Sequence, residues 1–178
     1  MEPIIEEMLM ANPEGIAHRL RLTYTRSNFL LNPLRIAEYH GITVKAADFH
    51  KGDIKGIIKK DDSCIFLNDR DSLNQKRFSL AHELGHYFLH FPQSDAFICT
   101  QAFFEVNGIH DLNDDEKVRA IVELYANRFA MALLLPFDEV YREWHLADTI
   151  EHMADRFGVP VQIVSHRVCE MRNLGFSL

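Results

Sequence analysis

The stretch RFSLAHELGHYFLH, residues 77–90, decides the fold because it joins a helical pattern of apolar residues to two histidines one turn apart. The apolar side chains recur at the spacing of one helical face, at Leu80, Leu84, Tyr87 and Phe91. Ser72 with Gln75 forms a capping-box pattern ahead of this stripe, and Pro92 prevents the helix from continuing far beyond it. The sequence therefore predicts a single helix over residues 73–90.

Within this helix, His82 and His86 are four residues apart, so both imidazoles lie on one face and can bind the same metal ion. Glu83 is turned from that face by about 100°, because an α-helix has about 3.6 residues per turn. Its carboxylate can therefore reach a water molecule at the metal without being a ligand. Zinc brings the pKa of such a water to about 7, and a neighbouring carboxylate can take its proton. The apolar surroundings favour this site over two solvated histidines on an ordinary surface helix.

Two histidines do not hold a catalytic zinc ion, so the motif requires a third protein ligand. Glu123 is the best candidate, because it lies in the apolar helical stretch AIVELYANRFAMALLLP, where a carboxylate needs a specific partner. Asn127 is one turn further along and is suited to orient Glu123 or to bond the metal helix. The alternative is a helical ion pair of Arg119 with Glu123, worth roughly a few tenths of a kcal/mol. Weaker ligand candidates are Glu105, His110, Asp111 and Glu116.

The rest of the chain predicts helices around a small sheet. Short β-branched and apolar runs predict three strands, within residues 42–49, 53–60 and 64–68, with a hairpin turn at 60–63, and residues 97–106 are a candidate further strand. Helical patterns cover residues 14–40, interrupted at Pro33, and then 113–135, 138–146, 148–157 and 160–174. We expect the sheet to be antiparallel.

The composition argues against a disordered, collagen-like or coiled-coil protein. The chain of 178 residues is 47% hydrophobic and 25% charged, as is typical of a folded domain. Its first ten residues are acidic, unlike a secretory signal, and its three cysteines are widely spaced, so we expect a cytoplasmic protein without disulfides. Residues 1–89 carry 12 basic and 12 acidic side chains, whereas residues 90–178 carry 7 and 14. This acidic half argues against direct nucleic-acid binding and favours a basic protein partner.

Residues 77–90 followed by ELYANRFAMALLLP, residues 123–136, resemble the ImmA/IrrE family of metallo-endopeptidases, whose pattern pairs R-F-[ST]-x-A-H-E-L-G-H with E-x-x-A-N-x-F-A-x-x-L-L-x-P. The resemblance extends more loosely over residues 30–175. The chain departs from the family at Ala132, where an acidic residue is frequent, and at Leu135, where methionine is common. The stretch 91–112 has no clear family counterpart.

This resemblance implies zinc ligands at His82, His86 and Glu123, with Glu83 as the general base, and manganese as an alternative metal. The expected fold is an α+β, zincin-like metallopeptidase domain, in which a three-stranded antiparallel sheet packs on a helical core that includes the metal helix. We expect one domain over residues 1–178. Its core would span residues 14–145, and a helical, helix-turn-helix-like tail over residues 146–178 would pack on that core.

The implied function is zinc-dependent hydrolysis of a peptide bond in one protein partner, a helix-turn-helix repressor or antitoxin. Candidates for stabilising the oxyanion are Tyr87, His90, His110 and Tyr125. One alternative is a toxin–antitoxin or antirepressor partner that acts by binding, with a structural or vestigial metal site. A second alternative is a DNA-binding regulator that uses the tail. The sequence leaves the oligomeric state open.

Overall fold

The computed structural model describes residues 12–24, 30–50, 54–59, 61–90, 96–100 and 114–178, and leaves the side chains of residues 90, 96–100, 114 and 115 undescribed. The helices are α1 (Pro13–Tyr24), α2 (Pro33–Tyr39), α3 (Leu73–His90), α4 (Asp114–Leu134), α5 (Phe137–Trp144), α6 (Ile150–Phe157) and α7 (Val161–Asn173). The strands are β1 (Thr43–Ala47), β2 (Ile54–Lys59), β3 (Cys64–Asn68) and β4 (Ala96–Thr100).

The sheet has the strand order β1-β3-β2-β4. β2 and β3 form an antiparallel hairpin, and β1 runs parallel to β3 on its other side. β4 pairs antiparallel with the free edge of β2, with an irregular register between Ile54 and Gly56. β3 is an inner strand, and this accounts for its nearly continuous apolar sequence and burial.

The α+β class is confirmed, but the sheet differs in two respects from the three antiparallel strands that we expected. β4 adds a fourth strand, in the region where the sequence offered residues 97–106 as a candidate. β1 pairs with β3 and is parallel to it. The alternation of side chains along a strand determines which residues share a face, whereas the neighbour and its direction depend on tertiary packing.

The predicted metal helix is confirmed at both ends, because α3 covers Leu73–His90. The backbone N–H of Gln75 donates to Ser72 Oγ at 3.2 Å, as the capping pattern predicts. One face of α3 packs on β2 and β3, and another lies along α4. The buried residues of these elements form one hydrophobic cluster with α1, α2 and the last helices.

Two buried arginines bind the carboxyl-terminal end of α4. Arg21 of α1 donates Nη1 to the carbonyl oxygen of Leu133 at 2.7 Å. Arg167 of α7 donates Nε to the carbonyl oxygen of Leu135 at 2.9 Å. The last carbonyls of a helix lack partners within the helix and carry partial negative charge, so both cations stabilise this end of α4.

The carboxyl-terminal helices contact the rest of the described chain through apolar residues. Phe157, Val159 and Ile163 are buried in the common cluster. The side chain of Asn74, at the start of α3, donates to the carbonyl oxygen of Val159 at 3.4 Å. These contacts are what the expected packing of a tail on the core requires, and the division of residues 1–178 into core and tail stays a prediction.

Among the described helices, none is by itself both long and apolar enough to cross a bilayer. One pair of helices passes that test of length and composition when taken together: Glu116–Leu134 and Phe137–Trp144. The two are bent by 57° relative to each other.

Candidate metal centre

The predicted site residues come from two neighbouring helices. His82, Glu83 and His86 project from α3, and all three are at most 1% exposed. Glu123 projects from α4 and keeps 24% of its side chain exposed. The structure therefore brings Glu123 to three residues that precede it by about forty positions in the sequence. It leaves one side of the cluster open at Glu123.

Donor atoms of three residues converge in this cluster. The Nε2 atoms of His82 and His86 are 3.0 Å apart. Glu123 places Oε2 at 3.1 Å from Nε2 of His82 and Oε1 at 3.4 Å from Nε2 of His86. Tetrahedral ligands that bind zinc at about 2.0–2.1 Å lie about 3.3 Å from one another. Two imidazoles and a carboxylate are also ligands that zinc accepts, so the residues present fit a zinc ion.

Asn127 orients the first histidine. Its Oδ1 lies 2.8 Å from Nδ1 of His82, and both side chains are buried. When Nδ1 carries the proton and donates to this oxygen, Nε2 keeps its lone pair and faces the other donors. Of the two roles that the sequence suggested for Asn127, the structure supports the bond to the metal helix.

The charges in the cluster favour a cation at its centre. Burial raises the pKa of Glu123, but its hydrogen bonds to His82 and His86 outweigh burial and lower that pKa to about 2. For His82, burial has the opposite effect and lowers the pKa, but the neighbouring Glu123 and Glu83 raise it by more. For His86 burial prevails and lowers the pKa to about 4. The carboxylate of Glu123 is thus ionised and attracts positive charge to this position.

Gly85 sets the distance between the two helices that carry these residues. A Cβ atom at Gly85 would lie 2.9 Å from Cα and 3.0 Å from the carbonyl oxygen of Ala126. Such spacing shows that the backbones of α3 and α4 touch at this point. Sequence reasoning missed this role, although a glycine inside a helix is a usable signal because it costs about 1 kcal/mol relative to alanine.

Among the residues that the structure describes, the group that could hold a metal ion does not include the weaker ligand candidate Glu116. Arg119 and Glu116 are exposed, and Glu123 pairs with the two histidines. Tyr87 packs its ring against those of His40 and Phe88, with centroid distances of 6.1 and 5.1 Å.

The oxyanion candidate Tyr125 is partly buried on α4. Glu105, His110 and Asp111 lie outside the described residues, as does the side chain of His90. The roles of His82, His86 and Glu123 as ligands and of Glu83 as the base stay predictions.

Comparison with known proteins places the chain in a family. The IrrE N-terminal-like domain (Peptidase_M78) matches residues 37–168. The "Uncharacterized immunity region protein 2" of Bacillus phage phi105 is 29% identical over 145 residues, which is 80% of this chain and 83% of that protein.

A solved structure with a similar fold is that of a Mycobacterium tuberculosis transcriptional regulator, with a TM-score of 0.61 and 23% identity. The match covers 87% of this chain and 45% of that regulator, so this chain corresponds to less than half of the longer protein. At this level of identity the likeness concerns the fold alone. Because the family domain spans most of the chain and both of its sequence blocks meet at one cluster, the protein belongs to the ImmA/IrrE family.

Proposed function

We propose that the protein is a zinc-dependent endopeptidase that hydrolyses a peptide bond in a specific protein partner. The observation that carries the proposal is the convergence of His82, His86 and Glu123 within 3.4 Å, beside the buried carboxylate of Glu83. Membership in a family of peptidases supports the same reaction. Manganese also accepts imidazole and carboxylate ligands and is the alternative metal.

His82, His86 and Glu123 would hold the ion, which would polarise the scissile carbonyl and acidify the attacking water. The carboxylate of Glu83 accepts a proton from that water as its oxygen bonds to the carbonyl carbon. Glu83 then gives the proton to the nitrogen of the breaking C–N bond, so that the amine leaves neutral. Asn127 holds the ring of His82 in place throughout, and burial of Glu83 keeps bulk water away from the transferred proton.

The sheet limits how an extended substrate can bind. β2 lies against Glu83, but its two edges are already paired with β3 and β4. A substrate strand that adds to the sheet must therefore pair with one of the outer strands, β1 or β4. Both are available as edges in the described part of the molecule.

We propose a cytosolic helix-turn-helix repressor or antitoxin as the partner. The relative in the phage immunity region supports a regulatory partner, and the acidic half of the chain suits a basic one. The tail itself is a poor DNA-binding surface. Its exposed arginines, Arg156 and Arg172, are matched by exposed Glu151 and Asp155, while Arg167 is buried.

The test is co-expression of the chain with a repressor-like partner, followed by mass spectrometry of the intact partner. We expect the wild-type chain to produce two fragments that together account for the whole partner plus one water. Glu83→Gln keeps a side chain of the same size but cannot accept the proton, so the fragments should fall by roughly 10²-fold or more.

Metal content and thermal unfolding serve as controls, because Glu83→Gln should leave both close to those of the wild type. If this variant still inactivates the partner, with its metal and fold intact, then the protein acts by binding and the hydrolase proposal is wrong. Salt-sensitive binding of a DNA duplex by the isolated protein would instead support the regulator alternative.

A further inference from the structure

Gly56 of β2 lies directly over the side chain of Glu83. A Cβ atom at this position would fall 2.3 Å from Oε1 of Glu83, 3.0 Å from Cδ and 3.1 Å from Cγ. The close approach therefore extends along the outer half of the glutamate side chain. From this geometry we propose that Gly56 is a positioning residue, whose missing side chain creates the space in which the carboxylate of Glu83 works.

The backbone does not require glycine here. The described glycines with positive φ are Gly41, Gly158 and Gly175, so the conformation of Gly56 is one that alanine also adopts. In the interior of a strand, glycine is ordinarily less favourable than alanine. The local advantage of glycine must then come from what lies against it, and glycines inside strands often mark such a close approach.

The neighbouring elements prevent the contact from relaxing. β2 is an inner strand, paired on one side with β3 and on the other with β4, so it cannot shift away from α3 without breaking a ladder. On the other side of α3, the contact of Gly85 with Ala126 blocks retreat toward α4. Glu83 is 0% exposed and cannot turn into solvent. A methyl group at position 56 would therefore displace the carboxylate itself.

This inference rests on the proposed function, because it assigns Gly56 to the placement of the general base. A displaced carboxylate no longer meets the water and the amine nitrogen in the geometry that proton transfer needs. Binding of the metal and of the substrate involves other atoms. Gly56→Ala should thus act on the chemical step and not on either binding event.

The experiment measures Gly56→Ala in the full chain by kinetics, zinc content and thermal unfolding. We expect kcat to fall by roughly 10²-fold while KM stays within about twofold and zinc per chain is unchanged. The matched control is Ile57→Ala, one residue away on the opposite face of β2, for which we expect kcat within about twofold of the wild type. Equal kcat for Gly56→Ala and the wild type would overturn the proposal.

A double-mutant cycle separates this role from a general need for glycine in the strand. Gly56→Ala should lower Tm when Glu83 is present and leave it unchanged, or raise it, in a Glu83→Ala background. An equal loss of Tm in both backgrounds would show that the strand needs glycine for its own sake, and would contradict the proposal. This cycle requires no activity, so it tests the contact of Gly56 with Glu83 even if the wild-type chain cleaves nothing and the proposed function fails.

Discussion

At the scale of the residue, Asn127 determines which nitrogen of His82 faces the other donors. Its side-chain oxygen accepts from Nδ1, at 2.8 Å, in a position where neither group reaches water. The imidazole is thereby fixed in both its tautomer and its ring orientation. This contact is made to the ring nitrogen that does not face the other donors, so it acts on the cluster through the ring of His82.

Replacement of Asn127 by leucine should weaken zinc binding by about 10–100-fold, since the ring of His82 loses its acceptor and becomes free to turn. Asn127→Asp keeps an oxygen at this position and should retain most of the affinity. Competition with a chelator of known affinity measures both effects. Asn173→Ala, at the exposed end of α7, is the control. Equal affinities for the leucine variant and the wild type would mean that His82 is oriented by other contacts.

At the scale of the element, the crossing of α3 over α4 brings His82 and His86 to Glu123. The two backbones touch at Gly85 and Ala126, and the stacked rings of Phe88 and Phe129, 5.9 Å apart, continue the contact. Helices packed this closely leave little room for one to shift against the other. The crossing therefore fixes the position of the two histidines relative to Glu123.

Gly85→Ala offers a test in which the sign of the effect decides. In an isolated helix this change stabilises by about 1 kcal/mol, because alanine is the better helix former. Here the new methyl group meets backbone atoms at 2.9 and 3.0 Å, so the helices must separate. We expect the free energy of unfolding, measured with urea, to fall by about 1–3 kcal/mol, with weaker zinc binding. An increase in stability would show that the helices have room to spare.

The elements also show what sequence reasoning can and cannot reach. The bounds of α3 were predictable because a period, a cap and a proline all act locally. Glu123 was predictable as a partner of the histidines because a lone carboxylate in an apolar helix needs one. The parallel pairing of β1 was predicted wrongly as antiparallel, and the contact of Gly56 with Glu83 was missed. Both depend on residues brought together from separate segments, which no local pattern records.

At the scale of the whole molecule, the first and last described helices meet at the end of α4. Arg21 binds the carbonyl of Leu133 and Arg167 that of Leu135, at and just beyond the last turn of this helix, and each also pairs with a carboxylate, Glu139 and Glu170 respectively. The guanidinium of Arg167 also stacks on the ring of Phe137, 3.6 Å from its centroid. The helix that carries Glu123 is thus anchored from both sides.

Loss of the contacts of Arg167 should destabilise the fold. Arg167→Met removes a cation that is 1% exposed and leaves the carbonyl of Leu135 without its donor. We expect a decrease of about 3 kcal/mol in the free energy of unfolding, measured by chemical denaturation. Arg172→Met on the exposed side of α7 is the control and should cost at most about 1 kcal/mol through its contact with Trp144. Similar decreases in the free energy of unfolding for both variants would show that the buried contacts of Arg167 contribute no more to stability than an exposed arginine does.

The anchoring of α4 has a consequence for the order in which the site is made during synthesis. A growing chain presents His82 and His86 well before Glu123, and Arg167 follows Glu123 by about forty further residues. While the chain is being made, the two histidines therefore form an incomplete donor set, and the helix that completes it has no support at its far end. Tight capture of a metal should begin only once the chain has been made as far as Arg167, so a chain that stops before Glu123 carries the motif without the centre.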